Sequence, residues 1–260
     1  MFSRRAVADL ATERERLERF DLYLYDVMTS PRLAGQIVFE YGTLVRSIES
    51  WHGLRVLDIG TGRSTLPRWM SSMGAVVTTF DLAAPVERTA AGFQARIDRF
   101  VATPAGHVRG VAGDMLALPF RDEAFDLVTS LSVLEHLDTE FPDRTYVDPP
   151  EQQRRLAQAL DEMVRVTARR GRIYITSECC DYASATSDSW RPAYYYRQGP
   201  DLSAAWPVDE VPRLFYEGLV ARGCRLSTEP TFHADDLKDT DRWTSRGPYF
   251  SGFSVLAART

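Results

Sequence analysis

The chain has 260 residues, 44% of them hydrophobic and 26% charged, with 36 acidic against 31 basic side chains and a net charge of −5. That length suits one large domain, or one domain with accessory segments, and the composition is that of a folded chain. The acidic balance argues against a broad face that grips nucleic-acid phosphates, and Cys179, Cys180 and Cys224, without CxxC spacing, make neither a disulfide framework nor a zinc site.

Taken in order, the first 50 residues read as helical. Leu10, Leu17, Phe20, Leu24 and Val27 recur at roughly 3.6-residue spacing, with Glu and Arg between them. Ser30-Pro31 interrupts that pattern and opens a second helix, Leu33 to Ser50. From Arg55 the period changes to that of a strand, Val56-Leu57-Asp58-Ile59, which runs into glycines. A helix is predicted over Ser64 to Met73, then a strand Ala75–Phe80, a helix Pro85–Phe100, and strands His107–Val111 and Phe125–Ser130. A long helix from Pro150 to Thr167 precedes a strand Arg172–Thr176. The tail offers a helix Val208–Arg222 and strands near Cys224–Thr228 and Phe250–Ala257. With no clear helix between them, those last two strands are predicted to be antiparallel. Strands alternating with helices indicate a parallel sheet covered on both faces, so the expected class is α/β, doubly wound, with a reversed strand at one end. No run of ~18 apolar residues is present, so no membrane span is expected. The charged N-terminus lacks an apolar signal region, which points to a cytoplasmic protein.

Four segments carry chemistry. In Val56-Leu57-Asp58-Ile59-Gly60-Thr61-Gly62-Arg63-Ser64, a strand meets a helix through Gly-x-Gly. That arrangement lets the backbone approach a ligand with the helix N-terminus behind it. Asp81 ends the next strand about 20 residues on, where a carboxylate can accept from ribose hydroxyls, and Leu82 follows it. A nicotinamide site shares this geometry, but its fingerprint places Gly or Ala where Thr65 stands. The third segment, Gly113 to Phe120, offers Asp114 to an exocyclic amine and Met115 among apolar neighbours that can sandwich a flat ring. In the fourth, Phe125 to Leu137, a strand leaves at the sheet's carboxyl edge beside the first strand, where the topology reverses and ligands bind.

Together these residues resemble the class I S-adenosylmethionine-dependent methyltransferases of the small-molecule branch, closely over Arg55 to Leu137 and more loosely beyond. The resemblance implies a Rossmann-like sheet of seven strands with the last antiparallel, and S-adenosyl-L-methionine as cofactor. It implies that Asp58, Gly60 and Gly62 surround the methionine portion, that Asp81 and Leu82 meet the ribose, that Asp114 and Met115 meet the adenine, and that Ser130 and Leu131 line the methionine side. Arg170-Gly171 stands where the family usually has a Pro-Gly-Gly-type turn, and Ser64 replaces a third glycine found in many members.

An imidazole titrates near neutrality, so His136, in the pair Glu135-His136, is the candidate general base; bracing of the following loop is the alternative role. His52 and His107 precede strands and read as structural, and His233 is a second candidate base in a late loop. Residues 1–54 are expected to form a helical cap on the substrate side. Residues 55–260 form the cofactor domain, with lid segments inserted at about 178–206 and 230–247. Substrate contacts are expected from Tyr23, Tyr25, Tyr194, Tyr195, Tyr196 and Arg197, because aromatic, Pro-interrupted segments cover flat or sugar-like ligands well. The expected activity is methyl transfer to a small molecule, most readily at oxygen. Transfer to nitrogen or carbon, or a non-catalytic partner subunit, are the alternatives. No metal, nucleic acid or membrane partner is expected; a homodimer is the candidate assembly.

Overall fold

The computed structural model describes residues 34–62, 64, 66–82, 107–140, 145–180, 206–207, 209–227, 231–234 and 250–260. Helix α1 (Ala34–Ser47) leads to strand β1 (Arg55–Ile59), helix α2 (Leu66–Ser72) and strands β2 (Val76–Asp81), β3 (His107–Ala112) and β4 (Phe125–Leu131). After a 3-10 turn, Leu134–Asp138, come α3 (Pro149–Val166) and β5 (Thr167–Cys180). The tail holds a π-helical run, Pro212–Glu217, continued by the α-turn Gly218–Val220, then β6 (Cys224–Leu226), β7 (Thr231–Ala234) and β8 (Phe250–Arg259).

The main sheet has the order β7-β8-β5-β4-β1-β2-β3, with β6 added on β8 and Trp206–Pro207 on β5. Strands β1 to β5 are mutually parallel, and β8 runs antiparallel to β5, as do β6 and β7 to β8. The chain builds outward from β1 through β2 and β3, then returns to β4 on β1's other side. A crevice therefore opens between the carboxyl ends of β1 and β4.

Alternation along each strand sends side chains to two cores. On one face Leu57, Ile59, Val128, Ile173 and Ile175 meet Leu156, Leu160 and Met163 of α3 and Phe215 of the π-helix. On the other, Val56, Val77, Leu127 and Tyr174 meet Tyr41 and Leu44 of α1 and Trp69 and Met70 of α2. Both faces of the central strands are buried, which explains why those strands read as near-continuous apolar runs. Helix α3 begins where its cap dictates: Asp148 accepts from the Glu151 backbone N–H at 2.8 Å, with prolines in the first turn.

Several boundaries differ from the sequence reading. Strand β5 spans 14 residues rather than Arg172–Thr176, because the chain passes from α3 into the strand with no loop between. Arg170 there takes a left-handed φ of 65°, and the β4–β5 register shifts between Phe125 and Leu127. The charged pair Arg169-Arg170 hid this part of the strand from a hydrophobic pattern. The helix predicted over Val208–Arg222 is π-helical in its first part. His233 lies on a strand paired with β8, not in a loop. The predicted helix Pro85–Phe100 and residues 1–33 lie outside the described residues.

Gly171 sits where backbone closes on backbone: a Cβ there would lie 2.8 Å from the Ala168 carbonyl oxygen and 3.1 Å from that of Asp126. Backbone atoms of this kind cannot turn aside. Gly171→Ala is expected to lower unfolding free energy by about 1–3 kcal/mol in denaturant titrations; an unchanged midpoint would contradict this packing.

Candidate active site

The crevice between β1 and β4 is lined from the glycine loop outward. Gly60 and Gly62 both adopt left-handed φ, 71° and 56°, which L-side chains seldom hold. At Gly60 there is also no room: a Cβ would lie 2.3 Å from Val133 Cγ2. The Gly60 N–H donates to the Phe80 carbonyl at 2.7 Å, and the Gly62 N–H donates to Asp81 Oδ2 at 2.8 Å. The loop is thus laced to the end of β2.

Asp58, 3% exposed, ties the same loop to β4. Thr61 Oγ1 donates to its Oδ2 at 2.8 Å and Thr129 Oγ1 donates to its Oδ1 at 2.6 Å. Beyond it on β4, Ser130 is buried, and its hydroxyl has no hydrogen-bond partner among the described residues. Leu131 is half-buried at the strand's end. Ser132 then takes a φ of 51°, a conformation that costs about 1–3 kcal/mol in a non-glycine residue. It is held by donating its N–H to the Thr176 carbonyl at 3.0 Å and its hydroxyl to Glu40 Oε1 in a short bond. This turn lays Val133 against Gly60.

On the other flank, Leu82 is exposed after β2, and Asp114 is exposed with Oδ1 accepting from the Leu116 N–H at 2.9 Å. Met115 packs partly buried against the first core. Gly113 lies under Phe80, where a Cβ would meet the ring at 2.8 Å. Glu135 and His136 part company. Glu135 is buried and accepts from Ser177 Oγ at 2.5 Å, whereas His136 is exposed on the adjoining turn. Burial, reinforced by the charges of Glu178 and Glu40, pushes the Glu135 carboxyl well above the usual carboxylate range, against the Ser177 bond that lowers it.

A family model described as a methyltransferase domain matches residues 57–175. Over that stretch the chain is similar to a methyltransferase domain. No curated protein matches it in sequence. Among solved structures, it is similar to an S-adenosylmethionine-dependent methyltransferase from Mesorhizobium loti, with a TM-score of 0.56 and 17% identity over 85% of this chain and 97% of that one. A protein from Galdieria sulphuraria assigned as a sarcosine dimethylglycine methyltransferase has a TM-score of 0.56 at 15% identity, covering 96% and 98%. A methyltransferase-like protein of Haloferax volcanii, solved in complex with the methyltransferase activator Trm112, has a TM-score of 0.56 at 14% identity, covering 96% and 93%. At these identities the likeness is one of fold, and the fold is Rossmann-like, of class I.

The sheet thus brings Asp58, Gly60, Gly62, Asp81, Ser130 and Leu131 to one edge, with Leu82, Asp114 and Met115 following β2 and β3. Tyr23, Tyr25, Tyr194, Tyr195, Tyr196 and Arg197 lie outside the described residues. Reading the sequence missed Thr61 and Thr129 as partners of Asp58, and Glu40, Ser177 and Glu178 as neighbours of Glu135. Hydroxyl partners have no motif of their own; only the strand register, Asp58 beside Thr129, reveals them. No group of three or more metal-ligating side chains is found among the described residues.

Burial pushes the Asp58 carboxyl up to about 6, with the Asp81 charge adding a little and the two threonine bonds opposing. An unfolded Asp releases its proton near pH ~4. Between these values the folded chain holds more protons, so this group's contribution to stability falls as pH rises. Asp58→Asn cannot titrate. Its unfolding free energy relative to the wild type should therefore climb by about 2 kcal/mol between pH ~4 and ~6; a flat difference across that window would contradict the assignment.

Proposed function

We propose that the chain transfers a methyl group from S-adenosylmethionine to a small-molecule acceptor, most readily at oxygen. The observation that carries this reading is the glycine loop locked to Asp81 at the β1–β4 crevice. The residues suit the cofactor. A carboxylate accepts at two oxygens, so the bond from Gly62 does not exhaust Asp81's capacity for ribose hydroxyls. The side-chain-free surface of Gly60 and Gly62 admits a ligand against the backbone. The buried Ser130 hydroxyl, without a partner among the described residues, suits a polar group entering from the crevice. Asp114 is placed to accept from an adenine amine, beside Met115. Leu82 and Leu131 supply apolar edges.

When bound, S-adenosylmethionine supplies a methyl group already activated on a positive sulfur. The chain's own work is then to orient an acceptor and take one proton. Asp58 has no part in that transfer; with both oxygens engaged, it holds the loop and β4 in register. His136, exposed on the turn after β4, is the residue that would take the proton, a step worth about 10²–10⁴-fold. Glu135, turned to Ser177, would brace that turn.

The acceptor side is assigned to the additions around the common fold. Helix α1 runs against β5, with its Ser47 carbonyl at Arg172 and Glu40 at Tyr174, so Ala34 leads away at the carboxyl edge. Residues 181–205 depart from Cys180 and return at Trp206 beside Cys179, and residues 235–249 join Ala234 to Phe250 at that same edge. All three additions join the described chain on the carboxyl side of the sheet.

The test is calorimetry with S-adenosylhomocysteine, paired with turnover on a panel of hydroxylated and amine compounds. Wild type and His136→Ala should bind the ligand alike, while turnover of the variant falls about 10²-fold. No binding to the wild type would overturn the reading; unchanged turnover would return His136 to structure.

A further inference from the structure

Helix α1 lies outside the residues matched by the methyltransferase family model, yet two consecutive side chains on it reach both walls of the crevice. Tyr41, 5% exposed, shares a 2.6 Å hydrogen bond with Ser64 Oγ. That same oxygen accepts from the Leu66 N–H at 3.1 Å, where α2 begins, and the Ser64 N–H donates to the Thr61 carbonyl at 3.0 Å. Tyr41 is therefore fastened to the glycine loop and to the helix behind it.

Glu40, 6% exposed, is fastened to the opposite wall. Its carboxylate accepts from the Ser132 hydroxyl, and its backbone carbonyl accepts from Tyr174 OH at 2.8 Å. Ser132 is the left-handed residue at the exit of β4, and the residue after it fills the space over Gly60. A continuous set of contacts thus runs from Glu40 through Ser132 and Val133 to Gly60, then through Thr61 and Ser64 back to Tyr41. The circuit joins the glycine loop to the β4 exit.

We propose that Glu40 and Tyr41 act as a strap that sets the spacing between the glycine loop and the β4 exit, as positioning residues for the nucleoside ligand. The proposal rests on the methyltransferase reading above. Neither residue is asked to touch the reacting atoms. Glu40 holds Ser132 in its left-handed φ, and Tyr41 holds Ser64 at the end of the glycine loop.

The test uses the full chain and S-adenosylhomocysteine as probe, with affinity from calorimetry and melting temperature measured without ligand. Glu40→Ala and Tyr41→Phe should each weaken the probe by about tenfold, since each removes one buried hydrogen bond that organises the site. Glu40→Gln, whose side-chain carbonyl can still accept from Ser132, should stay within about twofold of wild type. If the Ala and Phe variants melt lower but bind as tightly as wild type, the two residues are packing alone and the strap is wrong. Equal loss in Glu40→Gln and Glu40→Ala would also overturn it. Failure of the wild type to bind would remove the methyltransferase reading as well, so the two failures are distinct.

Discussion

The hydroxyls of Thr61 and Thr129 both donate to one buried carboxylate, that of Asp58, and this three-residue junction joins the glycine loop to β4. Two parallel strands alone would leave a gap at their carboxyl ends, because the backbone ladder stops there. The junction extends the connection one step past the ladder, so the loop leaves β1 at a set angle to Ser130 and Ser132. Removing a carboxylate from water is costly, and burial is why Asp58 holds its proton to about pH 6. Both of its oxygens are bonded, which offsets much of that cost. The glycines then become obligatory, since the loop must turn with positive φ beneath Val133.

Much of this was legible in the chain itself. Apolar runs placed β1, β2 and β4 nearly to the residue, because central strands buried on both faces admit few polar side chains. Asp81 stood out because a carboxylate ending the second strand, about 20 residues past the glycines, has a chemical purpose that spacing alone suggests. What stayed hidden depends on neighbours far apart in sequence. Nothing near Thr129 marks it as a partner of Asp58, 71 residues away, and nothing near Glu40 marks it as a partner of Ser132, 92 residues away. The length of β5 was hidden for another reason: Arg169 and Arg170 interrupt the apolar pattern at a register shift, where the pleat that carries the pattern is itself irregular.

The same contrast separates the common part of the fold from what surrounds it. The sheet and its crevice follow from hydrophobic alternation and from the reversal of strand order at β1. Around the sheet stand the helix before β1 and the segments that leave the sheet at Cys180 and Ala234. They root at the edge where the crevice opens, because antiparallel β8 brings Phe250 beside Cys180.

A crystal structure grown with S-adenosylhomocysteine tests the central claim most directly. The account predicts ribose hydroxyls against Asp81, an adenine beside Asp114 and Met115, and the amino-acid end running past Gly60 toward Ser130. A nucleoside bound elsewhere, or one in the crevice with no contact to Asp81, would contradict it.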